Sequence, residues 1–422
     1  MQLACAPGCK CVFSGELVII RCILFKKRRY QSPLLLEVLT PPAYGPQSSR
    51  GKARDVLTPR MPGLDLLRGA AILAVVFFHG FAYSAPLFPW HNRLAGALFN
   101  LTSFGWTGVN LFFTLSGFLI TGKLIDSDGK PNYYLRFYIR RALRIVPPYF
   151  LVLFVLGVTG TASMNYLFVC VVFLANWPKL LLHGSFVLYP VLWSLAVEEQ
   201  FYAVWPWLYR NLRKNGLFVL CMAMILLCPV LRGITISRSH ADIFSKTFMI
   251  GDNLAIGAVI AVLCRSRRLG LKALVWIGAA LISIPGLILL VLSTTGTTMK
   301  GDALGASLGY SMLELITGGM LILILYAYRA TPIQKGLGFL LFFGEISYGL
   351  YLIHMLCWMW YDRLFGDAYL THAGALLTRF AIANGTAVLL ATLSKRYFEN
   401  PIMRLKQKPR LSVRPNKALA SV

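Results

Sequence analysis

Residues 64–80 read LDLLRGAAILAVVFFHG. Between Arg68 and His79 every residue is apolar or glycine. A run of this kind has the composition of a membrane-spanning helix. Ionisable groups inside such a helix are costly, so each is a functional candidate by default. Arg68 and His79 stand eleven residues apart. At ~100° per residue that is three turns plus about 20°, so both project from one face, roughly 16 Å apart along the axis. Asp65 lies three residues before Arg68, the spacing of a helical ion pair.

The rest of the 422-residue chain agrees with that reading. It is 57% hydrophobic and only 14% charged, with a mean hydropathy of +0.64. Soluble domains carry about 25% charge. The composition excludes a disordered chain, a disulfide-stapled secreted domain and an ordinary cytosolic enzyme. Apolar segments recur at 66–84, 106–124, 145–160, 192–209, 217–231, 248–264, 273–293, 308–328, 339–360 and 374–394. Residues 165–175 form a weaker run, too short to span, since a crossing helix needs about 20 residues.

Basic residues arbitrate the topology, because cytoplasmic loops collect Lys and Arg. With the N-terminus inside, the loop after the second span carries Lys123, Lys130, Arg136, Arg140, Arg141 and Arg144. Later inside clusters are Arg210/Arg213/Lys214, Arg265/Arg267/Arg268/Lys272, Arg329/Lys335 and Lys395/Arg396. A crossing at 165–175 would flip all the later clusters outside. The expected fold is therefore all-α: a polytopic membrane protein of about ten transmembrane helices with both termini cytoplasmic, in the cell (inner) membrane. Residues 165–190 form an outer-side excursion.

The net charge is +26, from 42 Lys+Arg against 16 Asp+Glu. Residues 1–60 hold ten basic and three acidic groups, and residues 395–422 hold eight and one, so each stretch contributes +7. Over half of the excess thus sits in two tails. No nucleic-acid-binding motif accompanies them, so no nucleic-acid partner is expected. Cys5, Cys9, Cys11 and Cys22 have no nearby His and no zinc spacing, so no metal is expected. The domain reading is a basic, Cys-containing, disordered tail over 1–60, a transmembrane domain over 61–401 and a basic cytoplasmic tail over 402–422.

Further polar groups fall within the apolar segments. LWSLAVEEQFY (192–202) places Glu198 and Glu199 side by side in the fourth span. Adjacent residues diverge by about 100° on a helix, so one can face a cavity while the other faces the headgroups. Glu198 is expected at the depth of His79, and a carboxylate beside an imidazole orients a general base. RFYIRRALRIVPPYF (136–150) sets Arg141 and Arg144 on one face, with Pro147 and Pro148 marking where the third span begins. Such a pair suits a phosphate group; lipid headgroups are the plainer alternative. GVNLFFTLSGFLITGK (108–123) carries Gly108, Gly117 and Gly122 for close helix contact. Ser116 lies in no GxSxG setting, which argues against a nucleophile. ISYGLYLIH (346–354) puts Ser347, Tyr351 and His354 on one face. His354 can serve chemistry or sit at the interface with Trp358 and Trp360. His91, His183, His240 and His372 fall in outer loops and are assigned no role.

In this order, these segments and a closing YFENP (397–401) resemble the acyltransferase family 3 of integral-membrane O-acyltransferases. The resemblance runs from about Leu64 to Pro401. It implies an acyl group, often acetyl, moved from cytoplasmic acyl-CoA to a hydroxyl of a cell-surface glycan or lipid-linked sugar. Acyl-CoA is then a donor substrate rather than a resident cofactor. By position, His79 is similar to the family's essential histidine and Arg68 to its first-span arginine. Glu198 is similar to its fourth-span acid, and Arg141 and Arg144 to its RxxR pair for acyl-CoA. Ser116, Glu199, Tyr351 and His354 remain further candidates. Asn110 departs from the pattern, standing where many members carry Asp. No soluble hydrolase-like domain is expected after the last span, so a separate acyl-transfer or export partner is open. The rival reading is a glycan or lipid transporter or flippase. No internal repeat supports it, and a transporter has no need of the RxxR pair.

Overall fold

The computed structural model describes residues 52–57, 61–82, 99, 101–183, 186–239, 243–297, 302–330, 337–366 and 373–404. Among the described residues, ten α-helices of eight or more residues carry the architecture: α1 (Pro62–Phe77), α2 (Thr107–Asp126), α3 (Tyr133–Val158), α4 (Met164–Val171), α5 (Leu192–Ser239), α6 (Gly251–Cys264), α7 (Leu271–Thr294), α8 (Tyr310–Ala330), α9 (Gly338–Phe365) and α10 (Ala373–Ser394). Among the described residues, eight helices are long and apolar enough to cross a membrane. Large apolar side chains such as Phe154, Phe168, Trp276, Leu287 and Leu290 face outward, a surface suited to lipid. The chain is built as a multi-pass membrane protein.

Each of the ten predicted apolar segments falls on one of these helices, but three are drawn differently. Segments 192–209 and 217–231 both lie within α5, whose helical path is broken at Arg213 (φ 55°, ψ −170°). Segment 248–264 contains α6, which has only 14 residues. The doubtful run at 165–175 contains α4, eight residues long.

Helix α3 also starts earlier than expected. It begins at Tyr133 after a left-handed Asn132 and continues through Pro147 and Pro148. The prolines therefore lie inside the helix, where they delete amide donors toward the carbonyls four residues back. Arg136, Arg140, Arg141 and Arg144 consequently share one continuous helix. At the other boundary, residues 52–57 belong to the folded unit rather than to the tail. Ala53 is fully buried, its amide donates to the Leu269 carbonyl at 3.0 Å, and Lys52 bridges to Gly270. The early cysteines and residues 405–422 lie outside the described residues.

Small residues set the helix spacing. A Cβ on Gly69 of α1 would collide with the Leu340 carbonyl of α9, and one on Gly344 of α9 with the Asp65 carbonyl. The two helices run on in the same direction to His79 and His354. On α2 the expected close approach is present: a Cβ on Gly117 would strike the Leu254 carbonyl of α6, and one on Gly257 the Thr114 carbonyl. The first half of α5 follows α2 in the same direction. Tyr202 bonds Ser116, Trp205 bonds Thr121, and Tyr209 bonds Asp128.

Contacts gather the basic segments at one end of the bundle. Arg265 pairs with Asp126 at 2.7 Å, Arg210 lies over the Tyr133 ring, and Arg329 lies 3.6 Å from Asp55.

A buried ionic network ties α2, α5, α6 and α8 together. Arg232 of α5 is fully buried and forks onto Asp252 of α6 at 3.0 and 2.8 Å. It also donates to Ser311 and to the Ala306 and Met249 carbonyls. Glu314 of α8 lies 3.8 Å from Arg232 and accepts from Asn253 at 3.1 Å. Thr114 of α2 donates to Asn253 at 3.1 Å. Removing one partner of a buried pair strands the other charge, a loss of about 3–5 kcal/mol. Arg232→Met should lower the unfolding free energy in detergent by that order, and adding Asp252→Asn should recover part of it. Wild-type unfolding of the single variant would contradict this account.

Candidate functional site

The site is built around a cleft between α1, α2, α3, α5 and α9. Its polar lining is Arg68, Ser116, Arg141, Arg144, Ser194, Glu198, Tyr202, Ser347, Tyr348 and Tyr351. Val109, Phe112, Phe113, Leu115, Leu119, Ile145 and Leu195 supply the apolar wall. A second, more polar cleft is lined by Lys123, Lys130, Arg136, Arg140, Arg141 and Arg144. Arg141 and Arg144 belong to both, so the two clefts meet at that pair. Six of the nine sequence-chosen residues, Arg68, Ser116, Arg141, Arg144, Glu198 and Tyr351, are thus lining residues of one cleft; His79, Glu199 and His354 are not.

Local structure explains the placement. The three-residue step from Arg141 to Arg144 keeps both on the cleft side of α3. Arg68, which bonds Asp65 at 2.5 Å, presents a third guanidinium from α1. Glu198 sits opposite these cations. It accepts from Ser116 Oγ at 2.7 Å and from Tyr202 OH at 3.0 Å, and the Tyr202 hydroxyl also reaches Ser116 Oγ at 2.9 Å. Arg141 lies over the Tyr202 ring, 4.9 Å from its centroid. Glu199 is half-buried and outside the cleft lining.

The expected pairing of Glu198 with His79 is not made. His79 Nδ1 lies 3.0 Å from the Val75 carbonyl and 3.3 Å from His354 Nε2. The sequence placed Glu198 by depth alone, and depth does not fix which face of the bundle a side chain reaches. His79 stands on a π-helical turn, Phe78–Ala82, that extends α1. Such turns re-aim side chains and are frequent at functional sites. His354 is fully buried rather than interfacial. Tyr351 connects the histidines to the cleft. Its ring centroid is 5.9 Å from that of His354, and its hydroxyl meets Ser194 Oγ at 2.5 Å. His183 is exposed, and His91, His240 and His372 lie outside the described residues. Among the described residues no His/Cys/Asp/Glu group has the form of a metal site.

Sequence reasoning missed Tyr202, Ser194, Arg232, Asp252 and Glu314. Ser194 and Tyr202 stand four residues either side of Glu198, a spacing that marks one helical face. Asp252 and Glu314 are lone acids in apolar segments, the criterion that selected Glu198.

Residues 61–394 match the family model described as Acyltransferase domain. The chain is 26% identical over 387 residues to the O-acetyltransferase OatA of Staphylococcus aureus, covering 84% of this chain and 59% of that protein. It is 30% identical over 241 residues to the putative peptidoglycan O-acetyltransferase YrhL of Bacillus subtilis, covering 50% of this chain and 34% of that protein. A putative O-acetyltransferase of Staphylococcus aureus strain MSSA476 is 25% identical over 82% of this chain and 57% of its own length. The chain thus spans a little over half the length of the first of these relatives. No solved structure matches.

Tyr202→Phe tests the network directly. It deletes a donor shared by Glu198 and Ser116 but keeps the ring beneath Arg141. A hydrogen bond to a charged group is worth about 1.5–3 kcal/mol. The variant should lose stability of that order in thermal unfolding, and an unchanged transition would show that the hydroxyl contributes nothing.

Proposed function

Because the chain belongs to the acyltransferase family that its residues 61–394 match, we propose that it is an O-acyltransferase. It moves an acyl group, acetyl in the first instance, from cytoplasmic acyl-CoA to a glycan hydroxyl. The observation that carries this reading is the shared edge at Arg141 and Arg144. On one side lies a cleft rich in Lys and Arg; on the other, an apolar-walled cleft leads to Tyr351. Such a pair of clefts suits a molecule with a polyanionic head and a long, thin arm. The phosphates of acyl-CoA lie against Lys123, Lys130, Arg136, Arg140, Arg141 and Arg144. The pantetheine arm follows the apolar-walled cleft past Arg68 and Glu198 and brings the thioester toward the histidine pair.

His79 is the general base. It takes the proton of the acceptor hydroxyl as that oxygen attacks the thioester carbonyl carbon. The carbon–sulfur bond then breaks, and the proton passes to the departing CoA thiolate, leaving ester and free CoA. Glu198 offsets the positive charge of Arg141 and holds the Ser116 and Tyr202 hydroxyls. Peptidoglycan is the acceptor class that a relative's name suggests.

The membrane arrangement that fits is ten crossings of the cell (inner) membrane with both termini inside. It is supported by the common end shared by Asp126, Tyr133, Arg210 and Arg265. An inside turn at the α5 break and a short α6 crossing give an even number of passes between Asp126 and Arg265.

A general base contributes roughly 10²–10⁴-fold. In purified protein with labelled acetyl-CoA, His79→Ala should lose turnover by that factor while remaining membrane-inserted. Near-normal transfer would refute the assignment. Arg144→Ala should raise the Kd for acetyl-CoA by about tenfold or more, the size of one charged hydrogen bond, and leave acceptor affinity unchanged. Equal loss for both substrates would make the arginine structural.

A further inference from the structure

A base has its lone pair on one particular nitrogen, and the contacts around the two imidazoles decide which. His354 Nδ1 lies 3.0 Å from the Leu350 carbonyl and 2.9 Å from the Tyr351 carbonyl. Carbonyl oxygens only accept, so Nδ1 carries the hydrogen. His79 Nδ1 lies 3.0 Å from the Val75 carbonyl, so it carries a hydrogen as well. A further contact joins His354 Nε2 to His79 Nδ1 at 3.3 Å. With the hydrogen already on His79 Nδ1, His354 Nε2 must accept. A hydrogen on His354 Nε2 would instead set two N–H groups head to head. His79 is thereby left with its lone pair on Nε2.

We propose that His354 is a positioning residue for acyl transfer. It accepts from His79 Nδ1–H alongside the Val75 carbonyl, reinforces the tautomer whose Nε2 is basic, and holds the imidazolium formed when Nε2 takes the acceptor's proton. The inference rests on the reading of His79 as the base. It assigns to a neutral imidazole the task that an aspartate performs in a serine-hydrolase triad. A neutral acceptor suits this depth, where a second buried charge is costly. The turn that carries His354 is braced for the task. The Tyr189 hydroxyl donates to the Leu352 carbonyl at 2.7 Å and accepts from the Leu356 amide at 2.9 Å. One turn of α9 therefore spans from Tyr351 in the cleft to the ring that meets His79.

The test uses purified full-length protein and labelled acetyl-CoA, with kcat and KM measured for each variant. In His354→Gln the side-chain carbonyl reaches the Nε2 position and can still accept; in His354→Asn it stops short. Gln should keep kcat within about tenfold of wild type. Asn and Leu should lower kcat by roughly 10²-fold or more with KM for acetyl-CoA unchanged. The double variant His79→Ala/His354→Leu should be no worse than His79→Ala alone, as expected for residues acting as a unit. If His354→Leu does not fold, the Gln-against-Asn comparison decides. Equal loss in Gln and Asn, or additive loss in the double variant, overturns the proposal. An inactive His79→Ala beside a normal His354→Leu overturns this inference alone. A fully active His79→Ala overturns the base assignment and this inference together.

Discussion

The close backbone contact between α1 and α9 sets where the chemistry stands. Gly69 and Gly344 let each helix rest on a carbonyl of the other, at Leu340 and Asp65. From that contact the helices run on together, and their next shared feature is the histidine pair, ten or more residues further along each chain. A side chain at either glycine would push the helices apart, and a 3.3 Å contact between two imidazoles tolerates little displacement. The arginine end of α1 and the histidine end are thus registered by one piece of backbone packing.

The second organising constraint is charge in an apolar medium. The bundle handles it in two ways. Arg232, Asp252 and Glu314 are buried and compensate one another within a network of hydrogen bonds. Arg68, Arg141 and Arg144 instead line a cleft, where only part of their charge is offset by Asp65 and Glu198. The first arrangement is closed and knits helices together. The second keeps positive charge facing open space, as an anionic substrate would require. Over half of the net charge of +26 lies in the tails; the basic clusters between spans and this small excess in the cleft are two further contributions.

Much of this was legible in the sequence. Apolar length marked the helices, because hydrocarbon demands long uncharged runs. Isolated ionisable residues marked the cleft, because burial makes them conspicuous. Helical spacing put Arg141 with Arg144 correctly. What the sequence did not reveal was azimuth. Glu198 and His79 were matched by depth, yet Glu198 turns toward Ser116 and Tyr202 while His79 turns toward His354. Rotation about a helix axis is set by packing against neighbours, and periodicity within one segment carries no information about which neighbour that is. The early start of α3 escaped for a related reason: the arginines before Pro147 look like loop residues by composition, although their backbone is helical. The break at Arg213, by contrast, falls within the basic cluster Arg210/Arg213/Lys214 that the sequence set between two apolar segments.

The most direct test of the central claim is a cryo-electron microscopy map of the full-length protein with a non-hydrolysable acetyl-CoA analogue. The account predicts phosphate density against Arg140, Arg141 and Arg144, with the acyl end beyond Tyr351 and within hydrogen-bonding reach of His79. Phosphates bound away from those arginines, or an acyl end directed away from the histidines, would contradict it.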